Sequence, residues 1–111
     1  NGYYLLKLAG GYDHNYVFTN DGKLKKMAKL YCDESGITMT VYSDLCGMQL
    51  YTGNFLDGVV GKGGTRYEEK AGICFETQYY PNACNEEHFP SSVLKAGQTY
   101  KSRTIYELAV S

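Results

Sequence analysis

An antiparallel, all-β sandwich is the fold class this sequence predicts, and three observations carry that reading. No segment sustains a 3.6-residue apolar period, so no long helix is expected. Several short runs of β-branched and aromatic residues alternate apolar with polar positions, as half-buried strands do. Clusters of Gly, Asn, Asp and Ser separate these runs at short intervals, which suits strands joined by turns.

The elements follow in chain order. The opening residues are Gly- and Tyr-rich and read as a loop; a chain that begins there, at Asn1, is expected to be a fragment of a longer one. Gly10-Gly11 is a backbone-permissive pair and marks a turn. Residues 15–19 form a short strand, and Asn20-Asp21-Gly22 is a strong turn signal. Residues 24–33 and 37–43 read as an antiparallel hairpin around Glu34-Ser35-Gly36. Within the second of these runs Ile37, Met39 and Val41 share one face and Thr38, Thr40 and Tyr42 the other. Residues 48–52 form a further strand, with Gln49 and Tyr51 opposite Met48 and Leu50. The stretch 57–66, DGVVGKGGTR, is expected to be a mobile loop with four glycines. Residues 73–78 return to strand, with Cys74, Glu76 and Gln78 opposite Ile73, Phe75 and Thr77. Pro81 and Pro90 break residues 80–97 into irregular chain, and residues 100–110 close the sequence as a long strand.

Size and charge limit the function classes. The 111 residues suffice for one small domain with a modest core. Lys+Arg total 11 against 12 Asp+Glu, a formal net charge of −1, which argues against nucleic-acid binding. The lysines at 23, 25, 26 and 29 read as a solvated strand face. No apolar run approaches the roughly 20 residues of a membrane helix, and no signal-peptide pattern is present, so no membrane partner is expected. The cysteines at 32, 46, 74 and 84 lack zinc-knuckle spacing. Three lie in apolar strand contexts, so reduced, structural thiols and a cytoplasmic setting are favoured, with two disulfides as the alternative. The twelve tyrosines suit half-buried sheet faces and sugar sites alike.

The candidate chemistry centres on Glu76, an acid within the run Ile-Cys-Phe-Glu-Thr. Burying a carboxylate in such a strand is costly without a partner or a task. Gln49 occupies the polar side of its own strand, and Asp13 follows the Gly-Gly turn and approaches from a loop. Two carboxylates and an amide near aromatic rings can grip sugar hydroxyls, and a carboxylate within reach of a substrate proton can act as a general base. The competing structural readings are a turn cap for Asp13, an ordinary polar strand residue for Gln49 and a salt-bridged strand residue for Glu76. His14 and His88 are isolated in loop-like contexts and make a weak case for a metal. There is no nucleophile elbow and no phosphate-binding loop.

The blocks GGYDHNYVF, MQLYTGNFLDG, GKGG, GICFETQYYPNACN and FPSSVLKAGQTYKSRTIYEL, in that order from about Gly10 to Leu108, closely resemble the aldose 1-epimerase (galactose mutarotase) family, specifically its C-terminal part. The resemblance implies an incomplete part of that family's large antiparallel sandwich (the supersandwich), with residues 1–111 forming the C-terminal part of a single domain. It implies interconversion of the α and β anomers of free hexoses such as galactose and glucose, with no metal or organic cofactor. Glu76 matches the family's general base, and Asp13 and Gln49 match its sugar-binding aspartate and glutamine. The family's general acid is a histidine well upstream of the Asp-His-Asn block. A further sugar-binding histidine and an arginine lie upstream as well, and no residue here matches any of the three. His14 matches the histidine directly after the family's aspartate and is not the acid. The isolated chain is therefore expected to be inactive, with sheet edges open to self-association or to pairing with the missing N-terminal part. A non-catalytic sugar-binding sandwich module is the alternative, and fusion to an upstream nucleotide-sugar epimerase is a third arrangement.

Overall fold

A computed structural model describes residues 7–111; the loop expected at the first residues lies outside the described part. Eight strands are described, nearly all in antiparallel sheet: β1 (Asp13–Val17), β2 (Lys25–Tyr31), β3 (Ile37–Ser43), β4 (Gly47–Tyr51), β5 (Val59–Val60), β6 (Arg66–Tyr67), β7 (Cys74–Gln78) and β8 (Thr104–Val110). They form two three-stranded sheets, ordered β1-β4-β7 and β2-β3-β8, and a two-stranded ribbon, β5-β6. By contacts the chain falls into two compact units. One takes in the chain up to Tyr16 together with Gln49–Glu76, and the other takes in Val17–Met48 and Thr77–Ser111.

The second unit holds the buried apolar side chains, Met27, Val41, Leu45, Cys46, Met48 and Ala83. Its sheet is built on the expected hairpin. β2 pairs antiparallel with β3 from Lys25↔Ser43 to Tyr31↔Thr38, with a bulge between Lys26 and Ala28. The bulge leaves Met27 out of the ladder, and its side chain is buried. The turn closes through Gly36 N–H to Cys32 O and Cys32 N–H to Ile37 O, and Gly36 takes φ 69°, which glycine adopts without a Cβ penalty. Ahead of the hairpin, Lys23 N–H donates to Asp21 Oδ1 at 3.0 Å, which completes the Asn-Asp-Gly turn. That bond, more than the nearby Lys25 ammonium, holds the Asp21 carboxyl below its usual range.

The sequence does not reveal the partner on the other side of β3. It is β8, paired over its full length from Ile37↔Val110 to Ser43↔Thr104. Central position explains why β3 departs from a simple alternation: Val41 is buried on one face, Thr40 on the other, and Ser43 is fully buried. The Ser43 hydroxyl is 3.2 Å from that of Thr104, which lies 2.6 Å from that of Thr77, so a chain of hydroxyls satisfies the buried polar end of the strand. β2 and β8 form the margins of this sheet. Large apolar groups on β8 stay exposed, Leu108 and Val110 among them.

Two expectations need correction. The stretch 57–66 is not a plain loop: Val59↔Tyr67 and Val60↔Arg66 pair across a short 3-10 turn at Lys62–Gly64. The glycines that suggested mobility supply the tight reversal that lets these few residues pair. The cysteines are all free, but only Cys46 is buried; Cys32, Cys74 and Cys84 are exposed. Apolar neighbours in sequence misled here, because alternate strand positions face opposite sides. In the lysine run, Lys26 and Lys29 are exposed as expected. Lys25 is drawn partly under, donating to Leu45 O at 3.1 Å.

These thiols yield a labelling prediction. The Ser35 hydroxyl and nearby backbone amides hydrogen-bond the Cys32 sulfur and pull its pKa below the ordinary value. At neutral pH, iodoacetamide on the 111-residue chain should modify Cys32 first, and Cys74 and Cys84 as well. Cys46 should react only after denaturation. Peptide mass spectrometry checks the order, and equal labelling of Cys46 in the native chain would contradict it.

Candidate functional site

All three acid and amide candidates, Asp13, Gln49 and Glu76, belong to the first unit. The approach to Asp13 is prepared by Gly10 and Gly11, both at positive φ. A Cβ on Gly11 would overlap the Asn54 side-chain amide oxygen and force it to shift, and the positive φ favours glycine there. Next comes a polar clip. Thr52 N–H donates to Tyr12 O at 3.1 Å, and Tyr12 N–H donates to Thr52 Oγ1 at 3.1 Å. Asn54 Nδ2 donates to the same Tyr12 carbonyl at 2.8 Å. The Thr52 hydroxyl in turn donates to Asn54 Oδ1 at 2.9 Å. Thr and Asn, two residues apart in the Tyr-Thr-Gly-Asn segment, thus fasten the start of β1 to the end of β4.

The clip moves Asp13 out of the loop in which the sequence put it. Asp13 is the first residue of β1 and is exposed. Its carboxylate does not cap a turn; Oδ1 accepts a hydrogen bond from Gln49 Nε2 at 2.8 Å. Counted in antiparallel register from the Tyr12–Thr52 bond, Gln49 lies diagonal to Asp13 on the neighbouring strand, within reach of an amide side chain. A carboxylate has only acceptors, so the bond dictates that the Gln49 nitrogen faces Asp13. Gln49 Oε1 is left buried with no hydrogen-bond partner, as is Nδ2 of Asn15.

Glu76 lies on β7, exposed, next to half-buried Phe75 and Thr77. Among the described residues its side chain makes neither a hydrogen bond nor an ion pair, so the salt-bridged reading is not what is found. The structure therefore joins Asp13 to Gln49 and leaves Glu76 unattached in the same unit and sheet. His14 is occupied locally. Its Nδ1 accepts the Asp13 backbone N–H at 3.1 Å, which leaves the ring proton on Nε2, and the Tyr12 ring meets it edge-on at 6.2 Å. His88 is exposed, stacked edgewise on Phe89. Among the described residues no group of three or more His, Cys, Asp or Glu side chains could hold a metal ion. A mostly apolar recess of about 570 Å³ opens in the same unit, lined by Tyr12, Thr52, Lys70 and Ile73 among others.

A family model described as aldose 1-epimerase matches residues 5–107. The chain belongs to the aldose 1-epimerase family. Similarity to named members agrees. The galactose mutarotases of Sus scrofa and Bos taurus are 40% and 39% identical over 102 residues, 91% of this chain. The aldose 1-epimerase of Escherichia coli (strain K12) is 30% identical over 100 residues. A crystal structure of a GalM/aldose epimerase homologue from C. elegans superposes with a TM-score of 0.78 at 26% identity, covering 88% of this chain and 30% of that one. The chain spans about 30% of the length of the mammalian relatives it matches. The fold is thus the antiparallel one that the sequence pointed to.

Sequence reasoning did not single out Asn15, Thr52 and Asn54, although each lies in or beside a block that carried the resemblance. The available signal was the short, polar Thr-Gly-Asn spacing after a strand, which suits a clip to a neighbouring turn.

The clip can be tested. Gly11→Ala in the chain should push Asn54 off the Tyr12 carbonyl and strain a positive-φ position. We expect a loss of about 1–3 kcal/mol in unfolding free energy, read by urea denaturation with tyrosine fluorescence. Unchanged stability would show that the close approach at Gly11 is dispensable.

Proposed function

We propose that these 111 residues are the C-terminal part of a single mutarotase domain. On this reading the complete protein interconverts the α and β anomers of free hexoses such as galactose and glucose. Asp13 and Gln49 grip sugar hydroxyls and Glu76 is the general base. The observation that supports this best is the Gln49–Asp13 hydrogen bond at 2.8 Å, with an uncommitted Glu76 in the same unit. A carboxylate held by one amide N–H keeps its second oxygen and its remaining lone pairs for ligand hydroxyls. A carboxylate without a partner is free to accept a proton.

The chemistry then runs as an acid–base ring opening. Glu76 removes the C1 hydroxyl proton while an acid protonates the ring oxygen, and the C1–O5 bond breaks to give the free aldehyde. Rotation about C1–C2 presents the other carbonyl face, and closure yields the opposite anomer. On this reading the acid lies outside these residues, as the resemblance implies, and His14, whose Nδ1 accepts the Asp13 backbone N–H, does not take its place. Exposed Phe55, Leu108 and Val110 suit a chain whose apolar surface is covered by the rest of its domain. Free thiols suit a reducing, cytoplasmic setting. No helix among the described residues is long and apolar enough to cross a membrane.

Two measurements test this reading. In the complete protein, Glu76→Gln should lower turnover by about 10²–10⁴-fold, the usual worth of one positioned base, while sugar binding persists. Polarimetry and a binding titration read the two, and a change in affinity alone would favour a non-catalytic sugar-binding module. The 111-residue chain by itself should not speed the rotation change of freshly dissolved α-galactose over buffer. Clear acceleration would remove the need for an acid outside these residues.

A further inference from the structure

Asn15 and Gln49 hold two complementary, unsatisfied atoms. Asn15 Nδ2 is a buried donor without an acceptor, and Gln49 Oε1 is a buried acceptor without a donor. Native proteins rarely leave such groups orphaned. The register brings these two residues together. Tyr12 O accepts from Thr52 N–H at one end of the β1–β4 ladder, and Cys46 O accepts from Phe18 N–H at the other. Both bonds give the same antiparallel alignment, in which Asn15 sits directly across from Gln49. Side chains so opposed share one face of the sheet, with Cβ atoms about 4.5–5.5 Å apart. Asp13, two residues before Asn15, lies on that face too, and Gln49 already bonds to it.

Neither orphan atom is open to solvent, so a sugar hydroxyl cannot reach them without displacing protein. The partner each needs must come from within. We infer that Asn15 is a positioning residue that donates Nδ2–H to Gln49 Oε1 and thereby orients the Asp13 carboxylate through the Gln49 amide. Directly opposed residues on one sheet face place two amide side chains within reach of each other. The relay then runs Asn15 to Gln49 to Asp13, each donor meeting an acceptor. Without Asn15, Gln49 Oε1 has no donor, and the amide, held only by its exposed bond to Asp13, is free to swing away from the carboxylate. Asp13 would lose its donor and its fixed orientation. Among the described residues no other side-chain hydrogen bond of Gln49 opposes that movement. The consequence for sugar affinity rests on the proposed function; the relay itself does not.

The test uses the complete protein and two readouts. In Asn15→Ala, hydrogen exchange of the Gln49 side-chain amide, followed by selectively labelled NMR, should accelerate at least about 10-fold over wild type, because a bonded amide must open before it exchanges. KM for galactose should rise about 5-fold with kcat little changed, since Asp13 binds ground and transition states alike. In a Gln49→Ala background, Asn15→Ala should add nothing further, which a purely structural role for Asn15 would not produce. Asn15→Asp, of the same size but without the donor, guards against a folding failure. There the Gln49 nitrogen should turn to the new carboxylate and KM should rise more than in Asn15→Ala. Unchanged Gln49 exchange in Asn15→Ala, or additive effects of the Asn15 and Gln49 changes, would overturn the relay. Faster exchange with unchanged KM would support the relay and instead overturn the assignment of Asp13 to the sugar site.

Discussion

The antiparallel pairing of β1 with β4 is the constraint on which the candidate site depends. It turns Asp13 from a loop residue into a strand residue and sets Gln49 diagonal to it. The Gln49–Asp13 hydrogen bond follows from that placement. The pairing is secured at its open end by a polar clip of Tyr12, Thr52 and Asn54, with glycine at 11 leaving room for the Asn54 amide. Since Asp13 is exposed, the bond does more for orientation than for stability. Water and salt weaken the energy of a surface charge contact, yet the direction of a carboxylate with a fixed donor persists.

The second unit is stabilised differently. Its sheet is centred on β3, and its core is small: Val41 and Cys46 fully buried, with Met27, Leu45, Met48 and Ala83 around them. A core of that size is marginal for independent folding. The polar interior is satisfied by hydroxyls in series, Ser43 to Thr104 to Thr77. Nearby, Arg103 N–H donates to Asp44 Oδ1, and Tyr80 packs edge-on against Phe89 at 5.2 Å. Burial, and to a lesser degree the neighbouring Cys46, pushes the Tyr80 phenol up. These contacts tether residues 80–103, whose regular structure is a single 3-10 turn at Ala83–Asn85.

Family membership and site chemistry rest on different grounds. The family follows from similarity along almost the whole chain. The proposed roles of Glu76, Asp13 and Gln49 come from the motifs they match and are supported by what their side chains touch and leave free. The Gln49 amide is the part of this picture with an energetic consequence, because its buried Oε1 and the buried Nδ2 of Asn15 both lack partners, and such atoms favour any motion that pairs them.

Alternation and turn chemistry by themselves determined that the chain is a set of short antiparallel strands. They located β3 at residues 37–43 and made the β2–β3 hairpin legible, because a Gly-containing turn between adjacent strands is a local matter. They also put Glu76 and Gln49 on strands, since strand formation there depends on near neighbours in sequence. What they could not supply was pairing between distant segments. The β3–β8 ladder joins residues more than 60 positions apart, and Gln49 reaches Asp13 across 36. No local periodicity encodes such contacts. For the same reason only tertiary structure decided that Cys46 alone is buried, that the glycine-rich 57–66 stretch closes into a ribbon, and that Asp13 meets an amide donor instead of capping its own turn.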